Sequence, residues 1–217
     1  MIRRMLTVLA RTAWQFSTIG MRKKDSVVRF AMYKALEEDP RISIGPGPVL
    51  SISHSTYLCK RLGVAENKIV EANYPDQKIN KLQFPDNTFA AVVSDQVFEH
   101  IECLPSEAAA EVFRVLKPGE LARHTTCFLT PEHGSGRVDD LDNGDFWRFT
   151  PSGLGRLHGK YSEVVAADGW GNPLMPIIGG LGLTNMGVPE AKWHPLNKLA
   201  LLNRKSYAFV IWVVARK

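Results

Sequence analysis

Short apolar runs alternate with amphipathic segments from position 49 to 215, and this alternation constrains the fold more than any other feature. Residues 49–53, 68–72, 89–94, 121–128, 163–167 and 207–215 read as strands rich in Val, Ile, Ala and aromatic side chains. Residues 56–62, 105–116 and 151–158 read as helices between them, with Lys117-Pro118-Gly119 as a stop signal. Strands separated by helices predict an α/β fold whose mostly parallel sheet carries helices on both faces. In such sheets ligands bind beyond the C-terminal ends of the strands, beside the first one.

The rest of the chain is an appendage to that pattern. Residues 2–19 predict an amphipathic helix: Ile2, Met5, Leu6, Leu9, Ala13 and Phe16 share one face, with Arg4 and Arg11 opposite. Ser26 is placed to cap a second helix through residue 38, which Asp39-Pro40 stops. The expected division is 1–46 for this N-terminal region and 47–217 for the alternating domain, with an apolar insertion at about 173–200. Of 27 Lys and Arg, six lie within residues 1–24, which hold no acid; the remainder carries a net charge of −1. A near-neutral body argues against a nucleic-acid partner, and only the N-terminus is basic. That N-terminus suits docking on its own domain, a transit peptide, or peripheral contact with a membrane surface. As a signal peptide it is poor, because Arg11 cuts the apolar run short, and no apolar stretch reaches the length of a membrane span. Cys59, Cys103 and Cys127 show neither zinc nor redox spacing, so a reducing, cytoplasmic setting and no metal cluster are expected.

At the first strand the chain reads Ser51-Ile52-Ser53-His54-Ser55. A nucleotide-type ligand at this turn normally calls for glycine, since the backbone must approach closely and φ is often positive. Glu71 follows Ser51 by 20 residues, at the end of the second strand. It can accept hydrogen bonds from both hydroxyls of a ribose, or stand as a solvated strand-end carboxylate.

Leu82-Gln83-Phe84-Pro85-Asp86-Asn87-Thr88-Phe89, Ser94-Asp95-Gln96-Val97-Phe98-Glu99-His100 and Arg114-Val115-Leu116-Lys117-Pro118-Gly119 occur in that order. Together they resemble the class I S-adenosylmethionine (SAM)-dependent methyltransferases, specifically the small type 11-like methyltransferase-domain group with a degenerate glycine loop. The resemblance covers about residues 47–170. Asp145-Phe146-Trp147-Arg148 and Gly169-Trp170-Gly171-Asn172 resemble a branch of that group tied to bacterial cell-surface glycans. It implies a Rossmann-like, seven-stranded sheet whose last strand is antiparallel, and SAM as cofactor. On the matching positions, cofactor contacts fall to Ser51, Ser53, His54, Ser55, Glu71, Leu82, Gln83, Ser94 and Gln96. The departures are specific: no glycine in the first loop, Ala90 and Glu120 in place of motif residues, and only residues 73–80 between Glu71 and the next motif.

If the chain is an enzyme, the implied reaction is SN2 methyl transfer to an oxygen or nitrogen of a small-molecule or glycan-type acceptor. Alignment then does most of the catalysis, and a hydroxyl acceptor gains from a general base. Candidate bases are Asp95, His100 and His133; Asp95 equally suits a helix cap and the histidines suit packed or solvated roles. His124, in mid-strand, suits a structural role. Trp147 and Arg148 suit flanking an acceptor or packing a hinge. The rival reading is a methyltransferase-fold binding or scaffold protein without catalysis.

Overall fold

The computed structural model describes residues 2–135, 137, 140 and 144–217. In chain order its elements begin with α1 (Ile2–Ser17), β1 (Lys23–Ser26), α2 (Val27–Glu38), β2 (Val49–Ile52), α3 (Thr56–Arg61) and β3 (Ile69–Ala72). They continue with β4 (Phe89–Asp95), α4 (Pro105–Val115), β5 (Leu116–Cys127), α5 (Pro151–Leu157) and β6 (Glu163–Trp170). The C-terminal region adds α6 (Met175–Gly180), β7 (Gly187–Pro189), α7 (Pro195–Leu201) and β8 (Val210–Arg216). Two compact units result, one of residues 36–128, 132–168 and 211–217, the other of residues 1–35, 129–131 and 169–210.

The larger unit is built on a sheet of order β3-β2-β4-β5-β8-β6. Strands β3, β2, β4 and β5 run parallel. Their central members are apolar almost throughout, as a sheet covered on both faces requires: Val49, Leu50, Ile52 and Ala90 to Val93 are all buried. Gly119 N donates to Lys217 O, Lys217 N to Glu120 O, and Ser162 N to Arg216 O. The end of β8 thus lies beside the starts of both β5 and β6, so the last strand is antiparallel to its neighbours.

The family resemblance implies seven strands in this sheet; among the described residues six form it. Between β3 and β4 the chain forms only turns and one isolated Lys78–Lys81 bridge, so an edge strand and its crossover helix are replaced by a loop. Lys117-Pro118-Gly119 also behaves differently from its sequence reading. Helix α4 ends at Val115 and those three residues already belong to β5, because the hydrogen bonds to Lys217 recruit them into the ladder. The segment 96–104, between β4 and α4, is turns and not helix.

The smaller unit joins α1, β1 and most of α2 to α6, β7 and α7. Strand β1 pairs antiparallel with β7. Ser26 closes β1 instead of capping α2, and its Oγ is buried with no hydrogen-bond partner. Trp14 is buried and its indole N–H donates to Gly187 O at 2.9 Å. Gly171 has a packing reason: a Cβ there would stand 1.9 Å from Tyr207 O and 2.5 Å from Phe209 N, both backbone atoms that cannot give way.

Candidate active site

The turn after β2 adopts the backbone that glycine would favour. Ser53 has φ +48° and His54 φ +62°, two consecutive left-handed residues where the sequence offers no glycine. The turn is held from outside: His54 N donates to Asn73 Oδ1 at 2.8 Å. Ser55 Oγ donates to Ile52 O at 2.5 Å and accepts from Asp95 N at 2.8 Å. Gln96, at the tip of β4, is left-handed too, with φ +57°. Non-glycine residues in this region cost about 1–3 kcal/mol each and concentrate at functional turns.

Glu71 pairs in register with Ser51 and presents its carboxylate at the exposed tip of β3. Thr56 Oγ1 donates to Oε1 at 2.6 Å and Asn73 Nδ2 to Oε2 at 2.7 Å. The Thr56 bond, then the Asn73 bond, holds the acid below the usual carboxylate range. Each carboxylate oxygen retains a lone pair, so the group is ionised, oriented and still able to accept from a ligand diol.

Beyond the strand tips lies a cavity of about 730 Å³. Ser53, Gln96, His100 and His133 line it, as do Tyr74, Lys78 and Cys103 from the connecting segments, which no sequence motif marks. The other expected contacts sit elsewhere. Ser51 and Ser94 are fully enclosed. Ser94 Oγ lies 2.7 Å from His124 Nδ1 and Ser51 Oγ 3.4 Å from Thr56 Oγ1, so both brace the strands from below. Leu82 is buried, and its N–H donates to Glu111; Gln83 N donates to Gln77 Oε1. Asp95 accepts from Thr125 Oγ1 at 2.7 Å and is not among the cavity-lining residues.

His133 is tied to an acid behind it. Its Nδ1 lies 3.3 Å from Asp145 Oδ2, and its backbone N–H donates to the same oxygen at 3.0 Å. Asp145 is enclosed and Arg148 grips both its oxygens, Nη1 on Oδ1 and Nη2 on Oδ2. Burial alone would raise the Asp145 carboxyl, but the Arg148 bonds and the His133 contacts outweigh it and hold the acid below its usual range. Arg148 thus orients Asp145 instead of facing the cavity, and Trp147 donates its indole N–H to Ile101 O. The ring of His100 stands edge-on to His133 at 5.0 Å, with Nδ1 2.6 Å from Gly144 O. His100, His133 and Asp145 offer ligand atoms within 4.8 Å of one another. The Arg148 guanidinium already holds both oxygens of that carboxylate, so His133, Asp145 and Arg148 form one chain of contacts, a His-Asp-Arg relay in geometry. Asp145 enters the sequence reading only within the Asp145-Phe146-Trp147-Arg148 motif, and its place 12 positions after His133 carries no sign of their contact.

Residues 45–122 match the family profile of the methyltransferase domain. The match covers little more than a third of the chain. The matched stretch contains the turn at Ser53 and His54, Glu71, Gln96 and His100, whereas His133 and Asp145 lie beyond it. Among solved structures, a SAM-dependent methyltransferase from Mesorhizobium loti is similar at 11% identity and TM-score 0.50, covering 86% of this chain and 96% of that one. A Thermotoga maritima protein described as a SAM-dependent methyltransferase and possible histamine N-methyltransferase shares 15% identity at TM-score 0.46, over 97% and 96% of the two chains. The Mesorhizobium loti likeness concerns the fold alone, a Rossmann-like methyltransferase fold. A comparison with curated proteins finds no match.

Proposed function

We propose that the chain is a SAM-dependent methyltransferase acting on a hydroxyl or amine of a small-molecule or glycan-type acceptor. The observation that carries this is Glu71: an ionised, doubly braced and exposed carboxylate at the tip of the strand after the nucleotide-type turn. A nucleoside ribose is the ligand such a group suits. When bound, SAM supplies an electrophilic methyl group on its sulfonium. Glu71 would accept from the ribose hydroxyls, with the turn at Ser53 and His54 and the left-handed Gln96 bordering the same cofactor. His133 borders the cavity with its Nδ1 beside Asp145, and its imidazole is the base proposed to take a proton from an acceptor hydroxyl. Asp145 and Arg148 are positioning residues for that imidazole, and His100 flanks it. Ser51, Ser55, Ser94 and Asp95 support the strand tips, and Trp147 packs the loop behind the relay.

The same proposal extends to a cytoplasmic setting, a role in glycan biosynthesis and peripheral membrane contact through residues 2–24. The test is incubation with SAM and a panel of sugars, phenols and amines, with S-adenosylhomocysteine and methylated products read by mass spectrometry. Acceptor-dependent release of S-adenosylhomocysteine supports the enzyme. Binding of SAM with no turnover on any acceptor favours the rival reading of a non-catalytic binding protein.

A further inference from the structure

Helix α1 turns its apolar face outward. Its covered seam runs through Thr7, Ala10, Trp14 and Thr18, whereas the stripe of strongest hydrophobicity faces solvent: Ile2 is 70% exposed, Met5 58%, Leu9 58% and Phe16 68%. Loose docking does not explain this, because the helix is pinned by its other side. Trp14 donates to Gly187 O, Arg11 Nη2 donates to Gly182 O at 3.0 Å, and His194 Nε2 lies 3.0 Å from Ser17 O. A second large aromatic, Trp193, is 67% exposed and borders an apolar groove formed with Ala10, Ala13 and Trp14 of the helix.

We propose that this face docks on an anionic lipid bilayer, with the α1 stripe and Trp193 entering the interface. The proposal deepens the peripheral-contact reading and does not depend on the methyl-transfer reading. Charge selects the occupant. The first 24 residues carry six bases and no acid, which complements anionic headgroups and disfavours packing against a second, equally basic copy. An amphipathic helix with one apolar face and basic residues on the other lies in the plane of an interface. Among the described residues no helix is long and apolar enough to cross a membrane, so the contact is with one leaflet. Indole side chains such as Trp193 suit the headgroup boundary.

The experiment is co-sedimentation of the full chain with vesicles of phosphatidylcholine alone and of phosphatidylcholine containing about one third phosphatidylglycerol, in low and high salt. Wild type should bind the anionic vesicles at least tenfold more tightly, with the preference collapsing at high salt. The exposed-site variant Leu9→Glu/Phe16→Glu should lose at least tenfold in binding while keeping the wild-type melting temperature and SAM affinity. Arg4→Glu/Lys24→Glu should lose the anionic preference. Equal partition to both vesicle types, or unchanged binding by Leu9→Glu/Phe16→Glu, overturns the proposal. So does a lipid-free dimer in analytical ultracentrifugation that this variant converts to monomer, since a second copy would then cover the face. Loss of SAM binding in wild type would refute the methyltransferase reading and leave this one standing.

Discussion

His133 and Asp145 meet at 3.3 Å, the imidazole at the cavity and the carboxylate enclosed behind it in the grip of Arg148. Only the imidazole touches the space where an acceptor would lie. Replacing His133 by Ala should lower methyl transfer by about 10²–10⁴-fold, the usual worth of a general base. Affinity for SAM should stay within about twofold. Parallel rate and calorimetric measurements check this, and a loss confined to SAM affinity contradicts the role.

Removing Asp145 should act on stability as well, because Arg148 would lose its charged partner in a partly buried place. Asp145→Ala should cost about 1.5–3 kcal/mol, the range for hydrogen bonds to charged groups. Urea unfolding of the variant beside wild type tests it. A midpoint unchanged within error contradicts the relay.

The turn at Ser53 and His54 stores backbone strain that glycine would relieve. Ser53→Gly and His54→Gly should each stabilise the fold by about 0.5–1 kcal/mol, the part of the left-handed penalty that survives glycine's own entropic cost. Thermal melting reads the gain. A lower melting temperature in both variants would show that the side chains themselves hold the turn.

A buried histidine pair predicts acid sensitivity. His124 and His158 stack at 5.2 Å, and the Nε2 of each is buried without a hydrogen-bond partner. Burial holds His158 down at about 4 and His124 well below the ordinary histidine value. In the unfolded chain both protonate near pH 6.5, so between that pH and about 4 the unfolded state binds more protons and stability falls as pH falls. At pH 5 the loss from His158 should reach about 2 kcal/mol, and His124 adds to it in the same direction. Buried Glu99, raised by burial, works in the opposite direction, so the comparison is between wild type and His158→Phe. The variant should lose less stability between pH 7 and pH 5, and an identical loss contradicts the assignment.

Much of this was legible in the sequence where local pattern decides structure. The apolar runs at 49–53 and 89–94 became strands because a sheet covered on both faces accepts only such runs. The short 73–80 connection already implied a missing crossover, and it proved to remove an edge strand as well. What stayed illegible depends on partners distant in the chain. Lys117-Pro118-Gly119 reads as a helix stop and becomes strand through Lys217. The stripe on α1 was visible, but its outward direction is set by Trp14 reaching Gly187. Periodicity marked six residues as a face to be covered and carried no information on what covers it.

Calorimetric titration of SAM into wild type and Glu71→Ala tests whether Glu71 receives the ribose of SAM. Wild type should bind SAM in the micromolar to sub-millimolar range. Glu71→Ala should bind about 10–100-fold more weakly, the loss of one or two hydrogen bonds to a charged acceptor. No binding by wild type at millimolar SAM, or equal affinity in the variant, would contradict the account.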